Sequence, residues 1–243
     1  MTMKFSLQLP TDRVENVAEF ATAEAIAEIA AATEAAGFDA SFVTEHPFPT
    51  DDWLGAGGHH ALDPFVSLAI AASATKNLLL HTNILVLAYR NPFLTAKAVA
   101  SLDVVSGGRV IVGVGAGYLK GEFAALGADF ENRNDVSDNA LVAMKAAWTG
   151  ESVVLKQRGC EAAGNTMLPA PVQKPHPPIW VGGNSPRAIR RSVDFAQGWS
   201  PFPLPSAGKG RTRTTAIENV DDLAAGILKM KEYADSQGRS EPR

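Results

Sequence analysis

An α/β fold built on a parallel sheet is what this sequence predicts, and three observations carry it. Short apolar segments occur without the polar alternation of a half-exposed strand, so their strands are expected to be buried on both faces. Helical segments separate them, and strand and helix alternate about six times along the chain. Three helix starts share one device: Asp63-Pro64, Asn91-Pro92 and Ser185-Pro186 each place a capping side chain before a proline. The side chain accepts an orphan amide, and proline presets φ where no donor is missed.

In chain order, residues 4–9 read as a strand and 19–36 as an amphipathic helix stopped by Gly37. A second strand follows at 40–44, then a loop rich in Gly, Pro and Asp at 47–61. Residues 62–75 read as helix, 78–87 as mostly strand, and 92–105 as a helix closed by Gly107-Gly108. The run 110–114 is an apolar strand, and 134–148 is a helix followed by an irregular stretch at 149–178. A short strand at 179–181, a helix at 186–196, a strand at 199–202, a loop at 203–215 and a last helix at 221–236 complete the pattern. One domain covering 1–243 is expected, with 47–61 as a lid-like insertion. A closed (β/α)8 barrel needs eight strands and usually about 250 residues. About six strands are recognisable here, so an incomplete barrel and a doubly wound sheet both fit the pattern, unless further strands lie at 150–178.

Composition narrows the function. Of 243 residues, 46% are hydrophobic and 20% charged, a balance that excludes a disordered tail. Twenty-two basic against 26 acidic residues leave no basic excess, so a nucleic-acid partner is not expected. Cys160 is the only cysteine, which excludes an internal disulfide framework and a cysteine-based metal cluster within one chain. The apolar stretch 18–36 is broken by Glu19, Glu24, Glu28 and Glu34, so neither an export signal nor a membrane span is read, and the cytoplasm is the expected compartment.

Polar and glycine-rich residues gather just after the strands. Glu45 and His46 follow the second, Asn83 lies in the third with Tyr89-Arg90 after it, and Gly113, Gly115 and Gly117 close the fourth. Gly182, Gly183 and Asn184 follow the fifth, and Gly198 and Trp199 open the sixth. In a parallel α/β fold these positions share the rim where active sites sit, although such loops are often glycine-rich anyway. The stretch 179–186 ends a strand in two glycines and starts a capped helix, which suits either an anion or an ordinary tight turn. Residues 113–118 fail the dinucleotide fingerprint because Tyr118 stands where its third glycine should be.

His46 suits proton transfer or a hydrogen bond to a ligand. His59-His60 share the 47–61 loop with Trp53, and no metal site is expected there. His81 reads as structural and His176 as a surface residue. Glu122 reads equally as an orienting group or a rim ion pair. Arg187, Arg190 and Arg191 read first as a solvated helix face, with one of them as a candidate for holding a phosphate. Ser152 and Ser185 lack a nucleophile-elbow setting.

Eight motifs then occur in a characteristic order. They are Ala-Ala-Gly-Phe-Asp-Ala-Ser-Phe-Val-Thr-Glu-His (35–46), Asp-Pro-Phe-Val-Ser-Leu (63–68), Leu-His-Thr-Asn-Ile-Leu-Val-Leu (80–87) and Arg-Asn-Pro (90–92). The others are Leu-Asp-Val-Val-Ser-Gly-Gly-Arg (102–109), Gly-Val-Gly-Ala-Gly-Tyr (113–118), Lys-Pro-His-Pro-Pro-Ile-Trp-Val-Gly-Gly-Asn-Ser (174–185) and Gly-Trp-Ser-Pro (198–201). In this order the chain resembles the bacterial-luciferase-like superfamily, in particular its coenzyme F420-dependent oxidoreductase branch.

The resemblance implies a TIM-type (β/α)8 barrel, incomplete at its C-terminal side, that binds F420 or alternatively FMN across its strand ends. It implies a non-prolyl cis peptide at Asn83–Ile84, bulging behind the cofactor ring. It places Glu45 and His46 as catalytic residues near the ring, and Gly182 and Gly183 at the phosphate with Asn184 and Ser185 beside them. Gly115, Gly117 and Tyr118 would border the ribityl chain or phosphate. One departure is Ala116, which stands where well-studied F420 dehydrogenases carry a catalytic glutamate. The expected activity is hydride transfer between F420 and a small organic substrate, in a homodimer without membrane or nucleic-acid partners. An FMN-dependent monooxygenase and a truncated, non-catalytic flavin binder are the alternatives.

Overall fold

The computed structural model describes residues 3–206 and 212–242. The chain runs β1 (Ser6–Gln8), α1 (Val17–Phe20), α2 (Ala23–Ala35), β2 (Ala40–Val43), α3 (Asp51–Gly55), α4 (Pro64–Ala74), β3 (Leu79–Val86), α5 (Pro92–Ser106) and β4 (Val110–Gly115). It continues through α6 (Lys120–Ala125), α7 (Arg133–Trp148), β5 (Val153–Gln157), β6 (Cys160–Asn165), β7 (Ile179–Gly182), α8 (Pro186–Phe195), β8 (Gly198–Ser200) and α9 (Val220–Ser236).

Six strands form one sheet in the order β1-β2-β3-β4-β7-β8, and every neighbouring pair is parallel. Its outer strands are β1 and β8, so the described residues form an open half-barrel rather than a closed ring. The predicted proline-led helix starts are all present. Asp63 accepts from the Phe65 amide at 2.9 Å, Asn91 from that of Phe93 at 3.0 Å, and Ser185 from that of Ala188 at 3.2 Å.

The core lies between the helices and one face of the sheet. Leu80, Leu85, Val110, Val112, Val114, Ile179 and Val181 pack there against Leu68, Ala71, Val99, Leu141, Met144 and Trp148. Trp148 also donates its indole N–H to the Ala96 carbonyl at 3.0 Å, so its one polar atom is satisfied. A second cluster joins α8, α9 and Trp199 through Ile189, Val193, Met230 and Ala234.

Three predicted segments differ in detail. The helix expected over 19–36 is two pieces, the first ending at its C-cap Ala21 and the second capped by Thr22. The stretch 149–178, read as irregular, contains the antiparallel β5–β6 hairpin. Its strands turn at Arg158-Gly159, with Gly159 at φ 89°, and they form a separate sheet that adds nothing to the barrel. Weak β propensity in Cys160–Asn165 hid the second strand. Of the loop expected at 203–215, residues 207–211 lie outside the described residues.

Side chains alternate faces along a strand, so His81 points away from the helix-packed face that holds Leu80. It is buried, its ring lies 5.6 Å from that of Trp180, and its Nε2 has no hydrogen-bond partner among the described residues. Burial lowers its pKa from 6.5 to about 4. Between those values the unfolded chain binds a proton that the folded chain refuses, so stability falls as pH drops through that window. The expected loss is about 3 kcal/mol at the acid end. Urea unfolding of wild type and His81→Gln at pH 7 and near pH 4 checks this, and an equal pH dependence in both would refute it.

Candidate active site

The carboxyl ends of β2, β3, β4 and β7 open on a cleft of about 360 Å³. Glu45, His46, Asn83, Ile84, Gly115, Gly117, Tyr118, Gly182, Gly183 and Ser185 all line it. The size lies near the lower end of the range, about 300–1,000 Å³, usual for small-molecule sites. Residues far apart in sequence are thus brought to one rim.

The floor is a bulge in β3. The Asn83–Ile84 peptide is cis, and the β3–β4 register shifts between Thr82 and Leu85. The glycines of β4 and β7 make room for it. A Cβ on Gly115 would lie 2.1 Å from Ile84 Cδ1, and one on Gly182 would lie 3.1 Å from Ile84 Cγ2. Gly117 has φ 75°, and a Cβ there would meet Val86 and Phe123. These glycines therefore serve protein packing at the shelf as well as lining the cleft.

Two buried carboxylates stand beside the shelf with different partners. Glu45 Oε2 accepts from the Val86 amide at 2.7 Å, and Oε1 accepts from Arg90 Nε at 2.6 Å. Arg90 reaches on to Asp63 at 3.1 Å, and Asp63 caps α4. Burial raises the Glu45 pKa, against the opposing pull of Arg90 and the Val86 amide. Glu45 thus locks β2 to the end of β3.

Glu122, on α6, is fully buried. Its carboxylate accepts from Tyr89 Oη at 2.7 Å and from the Phe48 amide at 3.0 Å, and it faces His46 Nδ1 at 3.4 Å. Burial pushes its pKa up, but His46, Tyr89 and the Phe48 amide outweigh that and hold it below the usual value. Tyr89 is driven the other way, its pKa raised by burial and by Glu122. The His46 ring is flanked by Trp53 at 4.4 Å and His59 at 4.9 Å, both from the lid-like segment, and by Tyr118 at 6.3 Å. Within that segment Thr50 caps α3, so 47–61 is a folded element rather than bare loop.

Part of the lining suits an anion. Gly183, at φ 106°, leads into Ser185 and the start of α8, whose free amides carry partial positive charge. Arg191, Arg133 and Arg213 also line the cleft, and Arg133 donates to the Gly117 carbonyl at 3.2 Å. Arg191 is only 3% exposed and pairs with Asp138 and Asn134, which corrects its reading as part of a solvated face. Arg133 and Arg213 sit over the Phe130 ring at 4.2 and 5.0 Å, and burial and the neighbouring Arg213 together lower the Arg133 pKa.

Asn184 does not line the cleft. Its side chain donates to the carbonyls of Phe202 and Thr215 and accepts from the Phe202 amide, tying together the loops behind the cradle. The structure adds Arg133, Arg213 and His59 to the cleft lining and selects Arg191 from the three arginines of α8. Arg191 and His59 carried a visible signal, through the α8 arginine cluster and the 47–61 segment.

A parallel half-barrel with a cleft at the carboxyl ends of its strands defines a protein of the α/β barrel class. The chain belongs to the luciferase-like monooxygenase family, whose model matches residues 3–225. It is 32% identical over 200 residues to an F420-dependent glucose-6-phosphate dehydrogenase of Beutenbergia cavernae, covering 81% of this chain and 56% of that protein. It is 35% identical over 112 residues to an FMNH2-dependent dimethylsulfone monooxygenase of Pseudomonas putida, covering 45% of this chain and 31% of that one. A solved monooxygenase of Streptomyces bottropensis superimposes with a TM-score of 0.78 at 25% identity, over 98% of this chain and 68% of the other. The chain spans about half the length of the curated relatives it matches. The family contains both F420-dependent dehydrogenases and FMN-dependent monooxygenases.

Replacing Arg90 with Ala should leave Glu45 as an uncompensated buried charge and cost about 3 kcal/mol. Equilibrium urea unfolding measures it; a loss within about 0.5 kcal/mol of zero, the usual range for a surface substitution, would contradict the locking role.

Proposed function

We propose that this chain is an oxidoreductase that transfers a hydride between coenzyme F420 and a small organic substrate. The single observation that supports the proposal is that His46, Asn83, Ile84, Ser185 at the start of α8, and Arg133, Arg191 and Arg213 all line one cleft. The fit is physical. Ile84 and Asn83 give a flat backing for a planar ring, and α8 with Arg191, Arg133 and Arg213 gives a seat for a polyanionic tail. Arg133 and Arg213, beside an Arg191 already paired with Asp138, suit F420, whose tail carries carboxylates beyond its phosphate, better than a ligand ending in one phosphate. The relative that covers most of this chain among the two named above is F420-dependent, which supports the same choice.

When bound, F420 supplies a ring carbon that accepts or gives the hydride. The protein's own groups do the rest. Gly183, Ser185 and the arginines bind and orient the tail, while the β3 bulge fixes the depth of the ring. His46 holds or receives the proton that accompanies the hydride. Trp53 and His59, packed on His46, exclude water from that side. Glu45, committed to Arg90 and the Val86 amide, keeps β2 and β3 in register rather than meeting the substrate.

Titration with F420 and with FMN, followed by fluorescence, tests the cofactor. F420 should bind the more tightly, and FMN binding without F420 binding would select the monooxygenase reading instead. His46→Ala should weaken F420 binding only about fivefold, since one hydrogen bond is worth about 1 kcal/mol net. It should slow F420-linked turnover by about 10²-fold, measured over a panel of small alcohols, aldehydes and sugar phosphates. Unchanged turnover would remove His46 from the reaction.

A further inference from the structure

We infer that Glu122 is a positioning residue whose one carboxylate fixes both the proton-bearing nitrogen of His46 and the base of the lid. The inference rests on the reading of His46 as the ring-side group. Glu122 is 0% exposed, and three donors converge on it from three parts of the chain. The Phe48 amide, from the base of the lid, reaches Oε1 at 3.0 Å. Tyr89, after β3, reaches Oε2 at 2.7 Å, and His46, after β2, stands 3.4 Å from the same oxygen through Nδ1.

An ionised carboxylate can only accept, so the imidazole that faces it must carry its proton on Nδ1. In the neutral ring the lone pair is then on Nε2, the nitrogen left for the cleft. Glu122 does not line that cleft and acts through His46. The lid joins the same arrangement. A Cβ on Gly121 would lie 2.3 Å from Thr50 Cγ2, so α6 and the residue that caps α3 are in close contact beside the carboxylate. Lid residues Trp53 and His59 then close on the His46 ring. The titratable groups facing this cluster are His46, Tyr89, Tyr118 and His59, with Glu45 beside Tyr89.

The test is nitrogen-15 NMR of the neutral His46 ring in the ligand-free chain, for wild type, Glu122→Gln and Tyr89→Phe, with hydrogen exchange of the Phe48 amide. Wild type should show the Nδ1–H tautomer. Glu122→Gln should lose that preference, and its Phe48 amide should exchange with solvent faster. Tyr89→Phe removes a donor that competes for Oε2 and should leave the Nδ1–H tautomer in place. A neutral wild-type ring protonated on Nε2, or a tautomer and a Phe48 exchange rate both unchanged in Glu122→Gln, would overturn the inference. If Glu122→Gln fails to fold, the wild-type and Tyr89→Phe tautomers still decide it. None of these readouts needs a cofactor, so failure of F420 to bind leaves them standing and counts only against the proposed activity.

Discussion

The rest of the site depends on how Ile84 is housed. Its side chain lies where a Cβ on Gly115 would come within 2.1 Å and one on Gly182 within 3.1 Å, so β4 and β7 leave it room by carrying glycine there. Three neighbouring strands are thereby keyed together at their carboxyl ends. The interior is close-packed, so the floor cannot shift without moving the strands that present Tyr118 and Gly183. A ligand resting on that floor has its depth set by protein–protein packing.

Around this floor the two buried glutamates divide the work. Glu45 faces an arginine and a strand amide, and the network it makes continues through Asp63 into the cap of α4. Glu122 faces a phenol, an imidazole and a loop amide, the last of them in the 47–61 segment. Similar side chains thus have different partners, one set in the strands and helix caps and the other shared with the 47–61 segment.

Much of the scaffold is legible in the sequence because its signals are local. A capping side chain before proline states where a helix begins, and an unbroken apolar run states that both faces of a strand are covered. The rim residues were legible because strand ends are where the fold gathers them. What was hidden depends on partners distant in sequence. Arg191 sits on a helix with two other arginines and looks solvated until Asp138 and Asn134 of α7 fold onto it. Asn184 sits in a cradle motif, yet its amide is spent on the backbone of Phe202 and Thr215. Gly115 and Gly182 were legible from their places at the strand ends, but their packing against Ile84 appears only in three dimensions.

The stack of Arg133, Phe130 and Arg213 has a consequence for the empty protein. Two guanidinium groups share one aromatic ring at the mouth of the cleft, and Glu131 offsets part of their mutual repulsion. Such a pair draws counterions from the medium before any ligand arrives. Choice of buffer anion and ionic strength therefore alters the starting state of this mouth as well as the encounter with its guest.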